Sequence, residues 1–86
     1  MIEIIKRDKI KIPISVKSGI VGKTIGEVEE KFQVSILELK NLTDRALVFS
    51  WEERPPKSTT IKSEDEIVVS GEPLNIKQFS KAVFLN

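Results

Sequence analysis

The sequence predicts an α+β domain of two layers: a small, mostly antiparallel sheet with two short helices on one face. Three observations carry this. "DKIKIPISVK" alternates polar residues with Ile10, Ile12, Ile14 and Val16, the period of a half-buried strand. "TIGEVEEKF" opens with Thr24 and Glu27 at the spacing of a capping box, then repeats apolar residues at Ile25, Val28 and Phe32. "EPLNIKQFSKAV" starts a helix at Pro73 and places Ile76, Phe79 and Val83 on one stripe.

The remaining elements follow in chain order. Pro13 cannot donate to a ladder, so the first strand lies at an edge or at a break in pairing. Gly26 weakens the first helix and permits a close packing approach. "VSILELK" is a second strand, with Ile36, Leu37 and Leu39 apolar on both faces, as for a buried central position. "RALVFSW" is a third, Ala46, Val48 and Ser50 facing one way and Leu47, Phe49 and Trp51 the other. Pro55-Pro56 ends it, because two prolines cannot continue a paired strand. "STTI" is a short strand ending at Ile61, "KSEDE" a tight turn, and "IVVSG" a last buried strand. The order is β-α-β-β-β-α, with "STTI" as an optional further strand before the last, in a single domain over residues 1–86 and a core over about 9–83.

Composition removes several function classes. At 86 residues there is enough chain for one core, and a domain this size buries about 60% of its unfolded surface. With no Cys and no His, disulfides, thiol nucleophiles, imidazole bases and the usual zinc ligands are absent. No apolar run reaches membrane-spanning length, and the charged N-terminal stretch is unlike a signal peptide, so a cytoplasmic location is expected. Residues 1–23 hold six Lys/Arg against two acids, +4 of a net +1. A basic arm for nucleic acid is one reading of that excess. The alternation of Lys9 and Lys11 with Ile10 and Ile12 favours the solvent face of a strand instead.

Gly22-Lys23-Thr24 has the ending of a phosphate loop. The pattern G-x-x-x-x-G-K-[ST] requires a glycine at position 17, which is Lys17. The short helix and the absence of an acid closing an apolar strand complete the rejection. Thr24 is read as a cap, Gly22 as the turn before it and Lys23 as solvent-facing.

In order, Gly22-Lys23-Thr24-Ile25-Gly26-Glu27-Val28, then Val34, Ile36 and Leu39, then Pro55 or Pro56, Ile61, and "EDEIVVSG" resemble the TrkA-C domain. That domain is the C-terminal lobe of regulators of potassium conductance, and the resemblance covers roughly residues 9 to 83. Gln33 and Glu64 stand where the family has glycine, Lys40-Asn41 where it has a basic residue, and "NLTDRALVFSWEERPP" is longer than usual. Most relatives follow a dinucleotide-binding lobe whose G-x-G-x-x-G is not in this sequence, which implies an excised domain or a stand-alone relative. The resemblance implies a non-catalytic homodimer whose cleft senses a small ligand and regulates a membrane potassium channel or transporter subunit. Cyclic di-AMP or another small anion is the implied ligand, divalent metals acting in other relatives, and no cofactor is required. Carried over, the cleft is lined by Ile36, Leu37, Lys40, Asn41, Pro55 and Pro56. Aliphatics and prolines would sandwich bases, Lys40 pair with phosphate, and Asn41 bind a base or ribose.

Each of these residues also has an ordinary role. Ile36 and Leu37 suit a core, Lys40 a strand end, Asn41 a turn, and Pro55-Pro56 a strand stop. The acids at 64 to 66 suggest a cation site or, more simply, a solvated turn. Trp51 is either an exposed anchor for a partner or a cover for the core edge. Two other classes compete with the sensor. A β-grasp-like docking domain fits the elements, but the chain ends "KAVFLN", without the Gly-Gly of sulfur carriers. A nucleic-acid binder would need aromatics beside the basic strand, and the first 31 residues hold none. Neither nucleic acid nor direct membrane insertion is expected.

Overall fold

The computed structural model describes residues 3–6, 8–44 and 48–84. Strands β1 (Glu3–Lys6) and β2 (Lys9–Pro13) precede helix α1 (Ile25–Phe32). Strands β3 (Ser35–Asn41), β4 (Val48–Phe49) and β5 (Asp65–Ser70) follow, and helix α2 (Pro73–Phe84) comes last. All pairings are antiparallel, in a five-stranded sheet of order β1-β2-β5-β3-β4. The α+β class is as expected.

One face of the sheet carries the core. Ile10 and Ile12 of β2, Ile36 and Leu39 of β3, and Ile67 and Val69 of β5 pack with Ile25 and Val28 of α1. Ile76, Phe79 and Val83 of α2 join the same cluster, as their spacing predicts. Phe79 stands edge-on to Phe32 at 5.7 Å between centroids, tying α2 to α1. On the opposite face Lys11, Val68 and Glu38 stand in register, and Lys11 lies 3.9 Å from Glu66. Val68 is only 5% exposed there, so β5 is buried on both faces. The apolar run "IVV" states that position in sequence.

Several expectations are corrected. Strand β1 was not expected, and its pairing with β2 makes the latter an interior strand. Pro13 is the last residue of β2, opposite Glu66 of β5, and among the described residues the register of β1 is traced as far as Glu3↔Lys11. The strand also stops at Pro13: Ile14 is buried, but Val16 is 72% exposed where the chain has turned away. The central strand is β5, not β3. Apolar residues run through β3 because its register with β5 slips between Ile36 and Glu38. Such a bulge brings Ile36 and Leu39, three residues apart, onto the core face and leaves Leu37 half-buried.

Among the described residues the third strand is Val48–Phe49, whose partners are Lys40 and Leu39. Val48 is exposed and Phe49 half-buried; the expected facing of Ala46 and Leu47 lies outside the described residues. Trp51 sits in a turn and is 65% exposed, which fits an exposed anchor rather than a core cover. "STTI" contributes a single bridge, Thr24↔Thr60. Asp65 and Glu66, assigned to a turn, open β5 instead.

Candidate functional site

The Gly-Lys-Thr stretch folds as an ordinary helix start whose amides are all committed. Gly22, at φ 91, donates to Ile61 O, and Lys23, half-buried rather than solvent-facing, to Ile20 O. Thr24 and Glu27 form the expected capping box, Thr24 N–H reaching Glu27 Oε1 at 2.9 Å and Glu27 N–H reaching Thr24 Oγ1 at 3.2 Å. Ile25 and Gly26 donate to Thr59 O and Lys57 O, both at 2.9 Å. A phosphate would find no free donor among these amides.

Bonding to the Thr24 backbone, then to its hydroxyl, holds the Glu27 carboxyl below its ordinary value. A carboxylate whose folded-state pKa is depressed stabilises fully above its unfolded pKa and loses that contribution as pH falls through the folded one. Thr24→Ala should cost about 1 kcal/mol in urea unfolding at neutral pH. The gap from the parent should narrow on acidification below the ordinary glutamate range. A gap that stays constant with pH would show that the carboxylate takes no part in the cap.

The expected site residues separate into two sorts. Ile36 is 0% exposed in the core cluster, so it is no ligand wall. Asn41, 4% exposed, is a structural hub at the end of β3. Its Nδ2 donates to Asp65 Oδ1 at 2.7 Å, and its Oδ1 accepts from Thr43 N–H at 3.0 Å and Asp44 N–H at 2.7 Å. With its amide spent this way, Asn41 offers nothing to a base or ribose. Asp65 Oδ2 accepts from Lys62 N–H at 2.8 Å, which pins the turn before β5 and answers the cation reading of the acids. Among the described residues no cluster of acids suits a metal. Pro55 is buried, whereas Leu37 is half-buried and Lys40 and Pro56 are exposed.

Lys40 rims a hollow of about 440 Å³ with Asn41, Leu42 and Val48. A cation beside the apolar side chains of Leu42 and Val48, each about half exposed, suits a flat anionic ligand or a second protein surface.

The proline loop lies elsewhere. Its flanking residues Arg54 and Lys57 line a groove of about 690 Å³ with Gly26, Glu29, Glu30, Gln33, Val34 and Ser35, beside α1 and the start of β3. Gly26 permits that approach, since a methyl there would stand 3.2 Å from Lys57 Cβ. The groove had no signal in the sequence, because Glu29 and Arg54 lie far apart in the chain and each reads as a solvated charge.

The TrkA-C domain model matches residues 9–83, and no curated protein matches the chain. The chain belongs to the TrkA-C domain family. TrkA-C domains are regulatory ligand-binding domains of potassium transport systems, and this one is read in that class. Where the TrkA-C pattern has glycine, this chain has Gln33 at φ 55 and Glu64 at φ 70, both left-handed. Both positions take a backbone that glycine adopts without strain, and here each carries a side chain at some cost. Gln33 offsets part of it by donating from Nε2 to Glu30 O at 2.6 Å, closing the end of α1. Among the described residues of this TrkA-C domain no helix is long and apolar enough to cross a membrane.

Proposed function

We propose that this TrkA-C domain is a non-catalytic sensor that works as a homodimer in the cytoplasm. A small anionic ligand of the cyclic di-AMP type binds between two copies and regulates a membrane potassium channel or transporter subunit. The observation that carries the reading is exposed Lys40 at the rim of the hollow with Leu42 and Val48. It supplies one charge for a phosphate and apolar walls for bases. Leu37 and Pro56 are the other residues from the expected wall that stay accessible.

Their placement favours a cleft between copies over one within a chain. Arg54 contacts Glu29, which holds Ile36, so the proline loop sits at the start of β3, about 12 Å along the strand from Lys40. On this reading a ligand touching both Lys40 and a proline does so across two chains. Regulation then follows from differential affinity: the ligand binds one dimer geometry better and draws the population towards it.

The test is a thermal shift with cyclic di-AMP, ATP, ADP, NAD, calcium, manganese and a short DNA duplex, with oligomer mass measured alongside. Cyclic di-AMP at about 100 times its dissociation constant should add about 2.7 kcal/mol, a rise of roughly 10 to 20 °C in a domain this size. Lys40→Ala should abolish the rise and leave the ligand-free melting point in place. A monomer that responds to nothing on the panel sinks the sensor. It leaves a docking domain, for which exposed Trp51 is the natural anchor.

A further inference from the structure

Glu29 lies in the groove beside α1 with its side chain only 12% exposed. Its Oε2 accepts Ile36 N–H at 2.8 Å and stands 3.4 Å from Arg54 Nη2, while Oε1 stands 3.7 Å from Lys57 Nζ. Ile36 immediately precedes Leu37, Arg54 precedes Pro55, and Lys57 follows Pro56. One carboxylate therefore touches the residues that flank both the strand part and the proline part of the proposed ligand wall. We infer that Glu29 is a positioning residue that sets the spacing between Leu37 and the exposed Pro56. This rests on the sensor reading above.

The chain around it needs such a fastening. Arg54 holds a left-handed backbone, φ 52, at the bend that leads into the prolines. Beyond the carboxylate, the loop reaches α1 through Lys57 O and Thr59 O, which accept from Gly26 and Ile25. On the other side, among the described residues β4 pairs with β3 at Leu39 and Lys40, and Ile36 turns its N–H to Glu29 in the groove. The carboxylate is thus held by Ile36 N–H independently of either cation. Ion pairs to cations as exposed as Lys57 contribute little to folding and are weakened by salt. Their effect belongs in the geometry of the loop.

The test compares Glu29→Gln, which keeps an oxygen for Ile36 N–H and removes the charge, with Glu29→Ala, which removes both. Amide hydrogen exchange on the ligand-free domain is the first readout. In Glu29→Gln the amides of Ile25 and Gly26 should exchange about three- to tenfold faster while that of Ile36 is unchanged; Glu29→Ala should free all three. Raising NaCl from about 0.05 M to about 1 M should speed Ile25 and Gly26 in the parent and not in Glu29→Gln, a response that a packing role would not give. Calorimetry with cyclic di-AMP is the second, and Glu29→Gln should weaken binding about three- to tenfold.

Parent-like exchange and salt response in Glu29→Gln would overturn the inference, as would a loosened loop with unchanged affinity. If the parent itself ignores cyclic di-AMP, the ligand reading falls, and the exchange rates still decide whether Glu29 holds the loop.

Discussion

Phe79→Ala is expected to cost about 4 kcal/mol and to leave the domain barely folded at 37 °C. Phe79 is fully buried and heads the largest side chains of the core. Its ring meets Phe32 edge-on at an interplanar angle of 79°, and it lies in one cluster with Ile25, Val28, Ile76 and Val83. Truncation loses the transfer energy of the ring and opens a cavity between α2, α1 and the sheet that relaxes only in part. A domain of this size has about 4 to 13 kcal/mol in all, so the loss takes a large share of it. Urea unfolding followed by circular dichroism gives the number directly. Phe32→Ala removes the same stacking pair from a half-buried position and should cost less. Equal costs would mean that the ring pair, rather than the filled space beneath α2, is what Phe79 contributes.

Asn41→Ala is expected to cost about 3 kcal/mol, a fall of roughly 12 to 24 °C in melting temperature. The substitution strips Asp65 Oδ1 of its 2.7 Å donor while leaving that carboxylate 1% exposed. It also releases the amides of Thr43 and Asp44, which Asn41 Oδ1 gathers into the turn after β3. Removing one partner of a buried polar pair costs the desolvation of the other, and more when the other is ionised. The neighbouring Lys40→Ala should stay within about 0.5 kcal/mol, because Lys40 is exposed. Two adjacent residues that the family pattern assigns to one cleft thus separate by their effect on folding. A cost below about 1 kcal/mol for Asn41→Ala would show that water or a shifted turn satisfies Asp65 in its place.

The parts of this fold that were legible are those written in local spacing. The capping box at Thr24 and Glu27, the stripe of Ile76, Phe79 and Val83, and the alternation of Ile10, Ile12 and Ile14 all appear as read. What was not legible depends on partners distant in sequence. Leu37 looks equivalent to Ile36 and Leu39 until the slip against β5 sorts the three between core and partial exposure. Asn41 looks like a turn residue or a ligand donor, and only Asp65, which completes its bonding, decides between them. Pro55 and Pro56 are read alike as a pair, yet one is buried and the other exposed. Glu29 is a glutamate in a helix rich in glutamate, and its contacts with Arg54 and Lys57 exist only once the loop has folded back.

The position of β5 also governs when the sheet can exist during synthesis. Strands β2 and β3 are not neighbours; each pairs with β5, and residues as remote as Ile10 and Val69 lie opposite one another. A nascent chain that has released everything up to Glu64 holds two separate strand pairs, the β1–β2 hairpin and the β3–β4 pair, with no strand between them to hydrogen-bond to both. Closing both long loops comes before any of the central pairing is gained, which makes the step slow for so short a chain. Folding on the ribosome therefore waits until β5 emerges. Until then Ile36, Leu39, Ile10 and Ile12 are open to chaperones or to the same strands of another nascent copy.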